Sequence, residues 1–343
     1  MEGKLVNEKV LTIVVPAYNA ELYLEKCLAS FICPSMRELE IIIINDGSTD
    51  NTPIIAQGFV VLYPGIYQLI NKENGGHGSG INQAAAIATG KYFRVVDADD
   101  WISTQNLSSY LTALKNIQSD IVLTHFHTVD MKSGRRIPYK NVGVDYDMDY
   151  QPEDLLPIME KAAHWFSLHS IAYRTAFYQG LSLSLTEKIF YEDTEFSVLP
   201  FADCRSIRLL DLSIYEYLVG NTSQSVSISS YCKRYHHLEI VLERILNHYQ
   251  EREGINEAKD AFLRSRIRML LGTYEKVMLI YLLDKTSGRK AVKSIRRGIR
   301  TIDAKILSKS GLRYLGLLIC SYTKVSPIYL EALYSRYKNR LRK

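Results

Sequence analysis

Asp97 and Asp99 are the two residues of this sequence whose types and spacing point most directly to chemistry. Ala98 separates them, and they follow the apolar run 92–96, which is typical of a buried strand. Carboxylate oxygens suit Mg²⁺ or Mn²⁺, and such ions usually keep positions open for water or substrate phosphates. Because Asp-x-Asp also occurs in many surface turns, the pair alone leaves both a metal site and a turn open.

Apolar strands and helical segments alternate through the part of the chain that would position these carboxylates. Strands are predicted at 10–15, 40–44, 67–70 and 92–96, and helices at 21–31, from about residue 52, and at 81–89. This alternation predicts an α/β fold with a doubly wound, mostly parallel sheet. Ligands of such sheets bind at the carboxyl ends of the strands, where Asp97 and the preceding loops lie.

Two of these loops could hold a nucleoside. Asp46 follows the second strand, and a fixed carboxylate there can accept a hydrogen bond from N3–H of uracil, which cytosine lacks. The loop after the first strand offers Tyr18 as a flat surface for a base and Asn19 as a polar contact. An aspartate in an ordinary turn and an ordinary strand–helix loop remain the alternatives.

A glycine-rich stretch, residues 75–80, follows the third strand and lets main chain approach a ligand closely. The stretch does not fit a dinucleotide-binding fingerprint, because Ile81 stands where the third glycine belongs. The sequence also contains neither a Gly-x-x-x-x-Gly-Lys-Ser/Thr phosphate loop nor a Gly-x-Ser-x-Gly elbow.

Four motifs in order, at residues 14–19, 45–50, 74–82 and 97–100, resemble those of family 2 glycosyltransferases. The resemblance covers about residues 10–105 and weakens towards about residue 230. It implies a GT-A fold, a nucleotide-sugar donor, a divalent cation (Mn²⁺ or Mg²⁺) and inversion at the anomeric carbon. The predicted function is transfer of a sugar from a UDP-sugar to a hydroxyl of a glycan in cell-surface or extracellular polysaccharide synthesis.

The resemblance also implies roles for individual residues. Asp99 would bind the metal together with Asp97, which would approach the ribose or the metal. The base for the acceptor hydroxyl would be Asp193, oriented by Glu192, although a carboxylate pair at a helix start is the alternative. The nucleotide-sugar site would comprise Pro16, Ala17, Tyr18, Asn19, Asp46, Gly75, Gly76, Asn82, Asp97 and Ala98.

The sequence departs from the family in one place. Many relatives have Ala-Arg-Asn where this chain has Gly80-Ile81-Asn82, so the arginine that would face the diphosphate is missing. The phosphate contact is then expected from His77, from main chain of the glycine loop, or from elsewhere. Residues 220–225 are similar to the family's late loop near the diphosphate.

The two ends of the chain differ in charge. Residues 231–343 contain 25 Lys and Arg against 10 Asp and Glu, whereas residues 1–230 contain 17 and 27. The predicted domains are a catalytic domain at 1–230, with a donor half at about 1–100 and an acceptor half at 101–230, and a basic helical region at 231–343. The basic region is expected to contact an anionic membrane surface, with a solvated face or a dimer interface as alternatives.

No signal peptide and no run of ~18 apolar residues is recognisable, so a cytoplasmic protein, peripheral to the membrane, is expected. Two other functions are alternatives. A nucleotidyltransferase should carry a glycine-rich basic loop after its first strand, where this chain has residues 16–19. A nucleic-acid binder would use residues 231–343, but these show no recognisable motif, so no nucleic-acid partner is predicted.

Overall fold

A computed structural model describes residues 8–140, 142–159, 166–220, 228–252, 254 and 256–323. The chain divides into two compact units, residues 1–222 and 223–343. The loop residues 221–225 named above therefore lie outside the described residues.

The first unit contains one mixed sheet in the order β3-β2-β1-β4-β9-β6-β10-β5, with β7 beside β6 and β8 beside β10. Its strands are β1 Leu11–Ala17, β2 Leu39–Asp46, β3 Tyr67–Lys72, β4 Tyr92–Val95, β5 Trp101–Ile102, β6 Ile121–Asp130, β7 Arg136–Tyr139, β8 Asp149–Tyr150, β9 Ile171–Arg174 and β10 Ile207–Val219. β1 is parallel to β2 and β4, and β2 is parallel to β3. The four predicted strands therefore form the parallel half of the sheet.

The other half of the sheet is less regular than predicted. β9 runs antiparallel to both β4 and β6, and among the later strands that the structure describes only the β6–β10 pair is parallel. The α/β class is confirmed, but the expectation of a mostly parallel sheet holds only for the first half. Apolar runs identify strands without giving their direction, and direction depends on which strands meet in the fold.

The described part of the first unit contains seven helices: α1 Leu24–Ala29, α2 Thr52–Leu62, α3 His77–Ile87, α4 Thr104–Asn116, α5 Pro152–Met159, α6 Thr175–Gly180 and α7 Asp193–Val198. Short 3₁₀ turns lie at Met36–Glu38 and Leu199–Ala202. α3 begins at His77, although helix was predicted only from Ile81. The glycines before Ile81 lie in the first turn, where close packing outweighs their low helix propensity.

Every residue of β1 is buried, and seven of the eight residues of β2 are buried. Parallel strands covered on both faces have this pattern, because helices pack on either side of them. The apolar interior fixes the register of β1 between β2 and β4, with Ala17 opposite Asn45 and Val14 opposite Val95. The loops that leave these strands consequently emerge side by side at one edge of the sheet.

The second unit is helical, as predicted: α8 Ile228–Lys233, α9 Tyr235–Arg252, α10 Glu257–Lys276, α11 Lys285–Ile302 and α12 Gly311–Tyr322. A π-helical turn, Val277–Tyr281, follows α10, and a 3₁₀ turn, Ala304–Leu307, follows α11. The side chains of Asn256 and Asp284 cap α10 and α11 by accepting main-chain N–H bonds. Within the described residues no helix has the length and apolar character that a membrane span requires.

Candidate active site

Asp46, at the end of β2, organises the glycine-rich loop. Its Oδ1 accepts hydrogen bonds from Lys72 Nζ at 2.8 Å and from the main-chain N–H of Gly75 at 2.9 Å. Its Oδ2 accepts the main-chain N–H of Gly76 at 2.8 Å. The carboxylate is 3% exposed, so these donors compensate a buried charge. The loop after β3 is thereby held against the end of β2.

Hydrogen bonds hold the loop after β1 against the loop after β2. The main-chain N–H of Asn19 donates to Ser48 Oγ at 3.0 Å, and Asn19 Oδ1 accepts the N–H of Thr49 at 2.9 Å. Asn19 has a φ of 48°, a left-handed conformation that asparagine tolerates better than most residues. Pro16 and Ala17 are buried in the strand, whereas the Tyr18 residue is 55% exposed. Tyr18 and Asn19 are the residues of this loop that a ligand could meet from solvent.

Three carboxylates follow β4. Asp97 and Asp99 are half-buried, whereas Asp100 is buried and accepts bonds from Tyr215 Oη at 2.7 Å and from the N–H of Leu218 at 2.7 Å. Burial and the charge of Asp97 raise the pKa of Asp99 to about 6. Burial and the charges of Asp97 and Asp99 raise the pKa of Asp100 well above its ordinary range. These carboxylates repel one another, and a cation would stabilise their ionised forms.

His77, the first residue of α3, connects the two acidic motifs. Its Nε2 lies 3.0 Å from Asp97 Oδ1, and its Nδ1 lies 2.8 Å from Glu192 Oε1. Desolvation lowers the pKa of His77, but the bonds to both carboxylates outweigh it and raise the pKa well above its usual value. Burial likewise opposes ionisation of Asp97, yet the bond to His77 lowers the pKa of Asp97 overall. His77 is therefore an imidazolium that bridges two carboxylates.

Glycines let the segment before Glu192 approach α3. A Cβ at Gly78 would lie 2.8 Å from the carbonyl oxygen of Thr186 and 2.9 Å from Cγ of Glu192. Gly76 has a φ of +84°, and a Cβ at this position would meet the main chain of Lys188. The N–H of Lys188 donates to the carbonyl of Gly75 at 2.7 Å. The Gly-Gly-His-Gly sequence therefore suits the docking of residues 186–192.

Asn82 holds the same segment from the other side. Its Oδ1 accepts the N–H of Leu185 at 2.8 Å, and its Nδ2 donates to the carbonyl of Leu185 at 3.0 Å and to Glu187 Oε1 at 3.2 Å. The amide of Asn82 therefore affects the site indirectly, by holding the loop that it supports in place. A direct contact with the nucleotide stays a prediction.

Glu192 and Asp193 begin α7. Glu192 is buried and bonded to His77, whereas the Asp193 residue remains accessible to solvent within a crowded part of the fold. Desolvation and the charge of Glu192 raise the pKa of Asp193 to about 6. Such a carboxylate is ionised near neutrality and basic enough to accept a proton from a hydroxyl.

His169 adds a nitrogen ligand that sequence reasoning missed. Asp97, Asp100 and His169 each offer one ligand atom within 4.8 Å of the others, and burial lowers the pKa of His169 to about 4, so its imidazole is neutral. Asp99 is not part of this group, although it shares its electrostatic environment with Asp97. Hard carboxylate oxygens together with a neutral imidazole suit Mn²⁺ or Mg²⁺ better than a soft metal.

A buried arginine, Arg94, supports the residues around the acidic cluster. Arg94 is fully buried, its guanidinium lies 5.7 Å from the ring centre of Tyr215, and its Nη2 donates to the carbonyl of His169 at 2.8 Å. Tyr215 in turn accepts the N–H of Asp97 at 3.1 Å. Arg94 and Tyr215 were not predicted, because no local motif reveals that β4 and β10 converge here.

Comparison with known proteins identifies the family. The profile of Glycosyl transferase family 2 matches residues 12–190, slightly more than half of the 343 residues. The chain belongs to glycosyl transferase family 2. The match includes the loops after β1, β2 and β3 and the carboxylates after β4, and it ends just before Glu192 and Asp193.

Curated relatives agree with the family. The chain is 28% identical over 212 residues to the uncharacterized glycosyltransferase EpsJ of Bacillus subtilis, covering 61% of this chain and 60% of EpsJ. It is 31% identical over 141 residues to the poly(ribitol-phosphate) beta-glucosyltransferase of Bacillus spizizenii, covering 40% of this chain and 22% of that enzyme. The family 2 chain thus spans less than two thirds of the length of these relatives.

Solved structures confirm the GT-A fold. The crystal structure of Staphylococcus aureus TarS 1–349 in complex with UDP-GlcNAc superposes with a TM-score of 0.55 at 20% identity. The superposition covers 78% of this family 2 chain and 81% of that structure. At this identity the likeness establishes the fold.

Proposed function

We propose that this glycosyltransferase transfers a sugar, with inversion, from a UDP-sugar to a hydroxyl of a glycan, assisted by Mn²⁺ or Mg²⁺. One observation carries the proposal. The contact of His77 with Asp97 and Glu192 brings a cation-attracting acidic cluster beside a carboxylate pair that can supply a base. Both stand at the strand edge where the proposed nucleoside loops meet.

The donor pocket would lie between the loops after β1 and β2. Asp46 Oδ2 accepts one main-chain bond in the structure, and a carboxylate oxygen has a second lone pair that N3–H of uracil could use. Tyr18 is exposed beside it for stacking. The UDP-GlcNAc complex of TarS, which has the same fold, supports a uridine donor here.

The metal would be held by Asp97 and Asp99. Asp97 also belongs to the group with Asp100 and His169, whose potential ligand atoms lie within 4.8 Å of one another. When bound, the cation would neutralise the negative charge that develops on the leaving diphosphate. His77, in the first turn of α3, would face the diphosphate in place of the missing arginine, because the main-chain N–H groups of Gly75 and Gly76 already bond to Asp46. Asn82 would support this arrangement by fixing the segment that carries Glu192.

The reaction requires one base. The acceptor hydroxyl oxygen forms a bond to the anomeric carbon, the bond from that carbon to the UDP oxygen breaks, and Asp193 takes the hydroxyl proton. Glu192 does not take part in proton transfer in this scheme, because His77 occupies one of its oxygens. Its role is to set the position of α7 and of Asp193.

Residues 1–100 would bind the donor and residues 101–230 the acceptor, which we propose to be a lipid-linked or polymeric glycan of the cell surface. The similarity to a poly(ribitol-phosphate) beta-glucosyltransferase supports a polymeric acceptor. A cytoplasmic enzyme would meet UDP-sugars in the compartment where they are made.

A panel of UDP-sugars, incubated with the full chain and Mn²⁺ and assayed for free UDP, tests the proposal. We expect one or a few donors to be hydrolysed slowly, and EDTA to stop the reaction. Release of pyrophosphate instead of UDP would indicate a nucleotidyltransferase and overturn the proposal. Donor hydrolysis that persists in EDTA would overturn the metal-assisted scheme alone.

A further inference from the structure

α11 presents a stripe of cations to solvent. Lys290, Lys293, Arg297 and Arg300 are exposed and recur at intervals of three and four residues, which places them along one side of the helix. The buried residues Val292 and Ile299 define the opposite, core-facing side. Among the described residues no acidic side chain forms an ion pair with Lys293, Arg297 or Arg300.

α12 presents an apolar stripe with the same spacing. Leu312, Leu315, Ile319 and Tyr322 are each between 47% and 73% exposed. Single exposed apolar residues are ordinary, but four in a row along one helix face form a contiguous patch. Such a patch together with exposed cations suits a partner that offers both negative charge and apolar contact.

The two stripes lie on the same side of the helical unit. The guanidinium of Arg289 lies 4.2 Å from the ring centre of Tyr322, and that of Arg296 lies 4.0 Å from the ring centre of Tyr314. α11 and α12 therefore pack antiparallel through these residues. Helical periodicity then turns both stripes outward, away from the core side marked by Val292 on α11 and Cys320 on α12.

We propose that this face, defined by the exposed residues of the two stripes, docks on the surface of a lipid bilayer that contains anionic headgroups. The cations would contact the headgroups, while the leucines and isoleucine enter the interface and Tyr322 lies at headgroup level. This surface is separate from the glycosyl-transfer reaction, and the proposal does not depend on the donor or on the metal.

Charge and hydrophobicity distinguish this partner from two others. A second copy of this face would bring a second set of cations and no negative charge to neutralise either set. A nucleic acid would neutralise the cations but leave the four apolar side chains in water. An anionic bilayer offers negative charge to the cationic stripe and apolar contact to the apolar stripe.

The test is co-sedimentation of the full chain with phosphatidylcholine vesicles that contain or lack phosphatidylglycerol. Wild-type protein should bind the phosphatidylglycerol vesicles, and high salt should weaken binding. Replacing three cations (Lys293→Gln, Arg297→Gln, Arg300→Gln) should weaken binding about 100-fold. The control removes the same charge from an exposed hairpin of the first unit (Lys132→Gln, Arg135→Gln, Lys140→Gln) and should change binding less than about twofold.

A second variant tests the apolar stripe. Leu312→Gln, Leu315→Gln and Ile319→Gln together should weaken vesicle binding by about tenfold or more. Ile54→Gln, Val61→Gln and Leu62→Gln, which replace exposed apolar residues of α2, serve as the control and should leave binding unchanged. The proposal is overturned if wild-type protein binds vesicles equally with and without phosphatidylglycerol, or if the cation variant binds them as tightly as its control. It is also overturned if the apolar variant dissociates a dimer while vesicle binding persists.

Discussion

The Nδ1 atom of His77 lies 2.8 Å from Oε1 of Glu192, although 115 positions separate the two residues in the sequence. This contact joins the loop after β3 to the start of α7, and the other ring nitrogen of His77 extends the connection to Asp97. We therefore expect a change at either acidic motif to affect the other through one side chain.

Replacing His77 should affect both stability and donor use. His77→Ala leaves the buried carboxylate of Glu192 without its partner, which should lower the free energy of unfolding by about 2 kcal/mol. His77→Gln keeps neutral hydrogen bonds and should recover part of that loss. Urea denaturation of the three proteins, together with KM for the donor, measures the effect. Equal stability and equal KM in all three would contradict the bridging role.

Asp193→Asn should separate binding from chemistry. The amide cannot take a proton from the acceptor hydroxyl, so kcat should fall by about 10² to 10⁴-fold. UDP-sugar affinity should stay within about twofold of the wild-type value, since Asp193 is proposed to act on the acceptor. Transfer kinetics and calorimetric donor titration are compared for the two proteins. Transfer at the wild-type rate would mean that another residue is the base.

The rate should depend on pH through Asp193. Desolvation and the charge of Glu192 raise the pKa of Asp193 to about 6, while the nearby His77 opposes and Asp97 reinforces this shift. Because the ionised form is the base, kcat/KM should fall about tenfold per pH unit below about 6 and level off above it. The profile is measured at saturating metal. An acidic limb of the same shape in Asp193→Asn would assign it to another group.

Gly78→Ala should disturb the site from a distance. The new Cβ would meet Glu192 Cγ and the carbonyl of Thr186 at less than 3 Å, so the segment 186–192 must move away from α3. We expect transfer to fall at least about tenfold through displacement of the base. Gly58→Ala, in α2 where a Cβ meets nothing within 4 Å, is the matched control and should retain activity. A fully active Gly78→Ala enzyme would show that the close approach is not required.

The half of the sheet formed by β1 to β4 could be predicted from the sequence for a physical reason. Strands β1 to β4 are short apolar runs, and parallel strands place their carboxyl ends together, so Tyr18, Asp46 and Asp97 could be assigned to one edge. Helix α3 was predicted to begin four residues too late, because its N-cap, Gly76, makes no side-chain capping bond and its first turn contains two glycines, so no local signal marks its start.

The remaining contacts depend on tertiary structure. His169 and Tyr215 reach the acidic cluster through strands whose order and direction no local pattern reveals. The sequence identified Glu192 and Asp193 only through a family resemblance, and it named His77 as a phosphate contact without its carboxylate partners. The glycines around His77 were a signal of close approach, but not of what approaches.

Calorimetric titration of UDP into the metal-free chain, with and without added Mn²⁺, tests the central claim most directly. A cation held by Asp97 and Asp99 beside a uridine pocket predicts that Mn²⁺ strengthens UDP binding by at least about tenfold, and that Asp99→Ala removes this gain while retaining the fold. UDP binding that Mn²⁺ leaves unchanged, or no UDP binding under either condition, would contradict it.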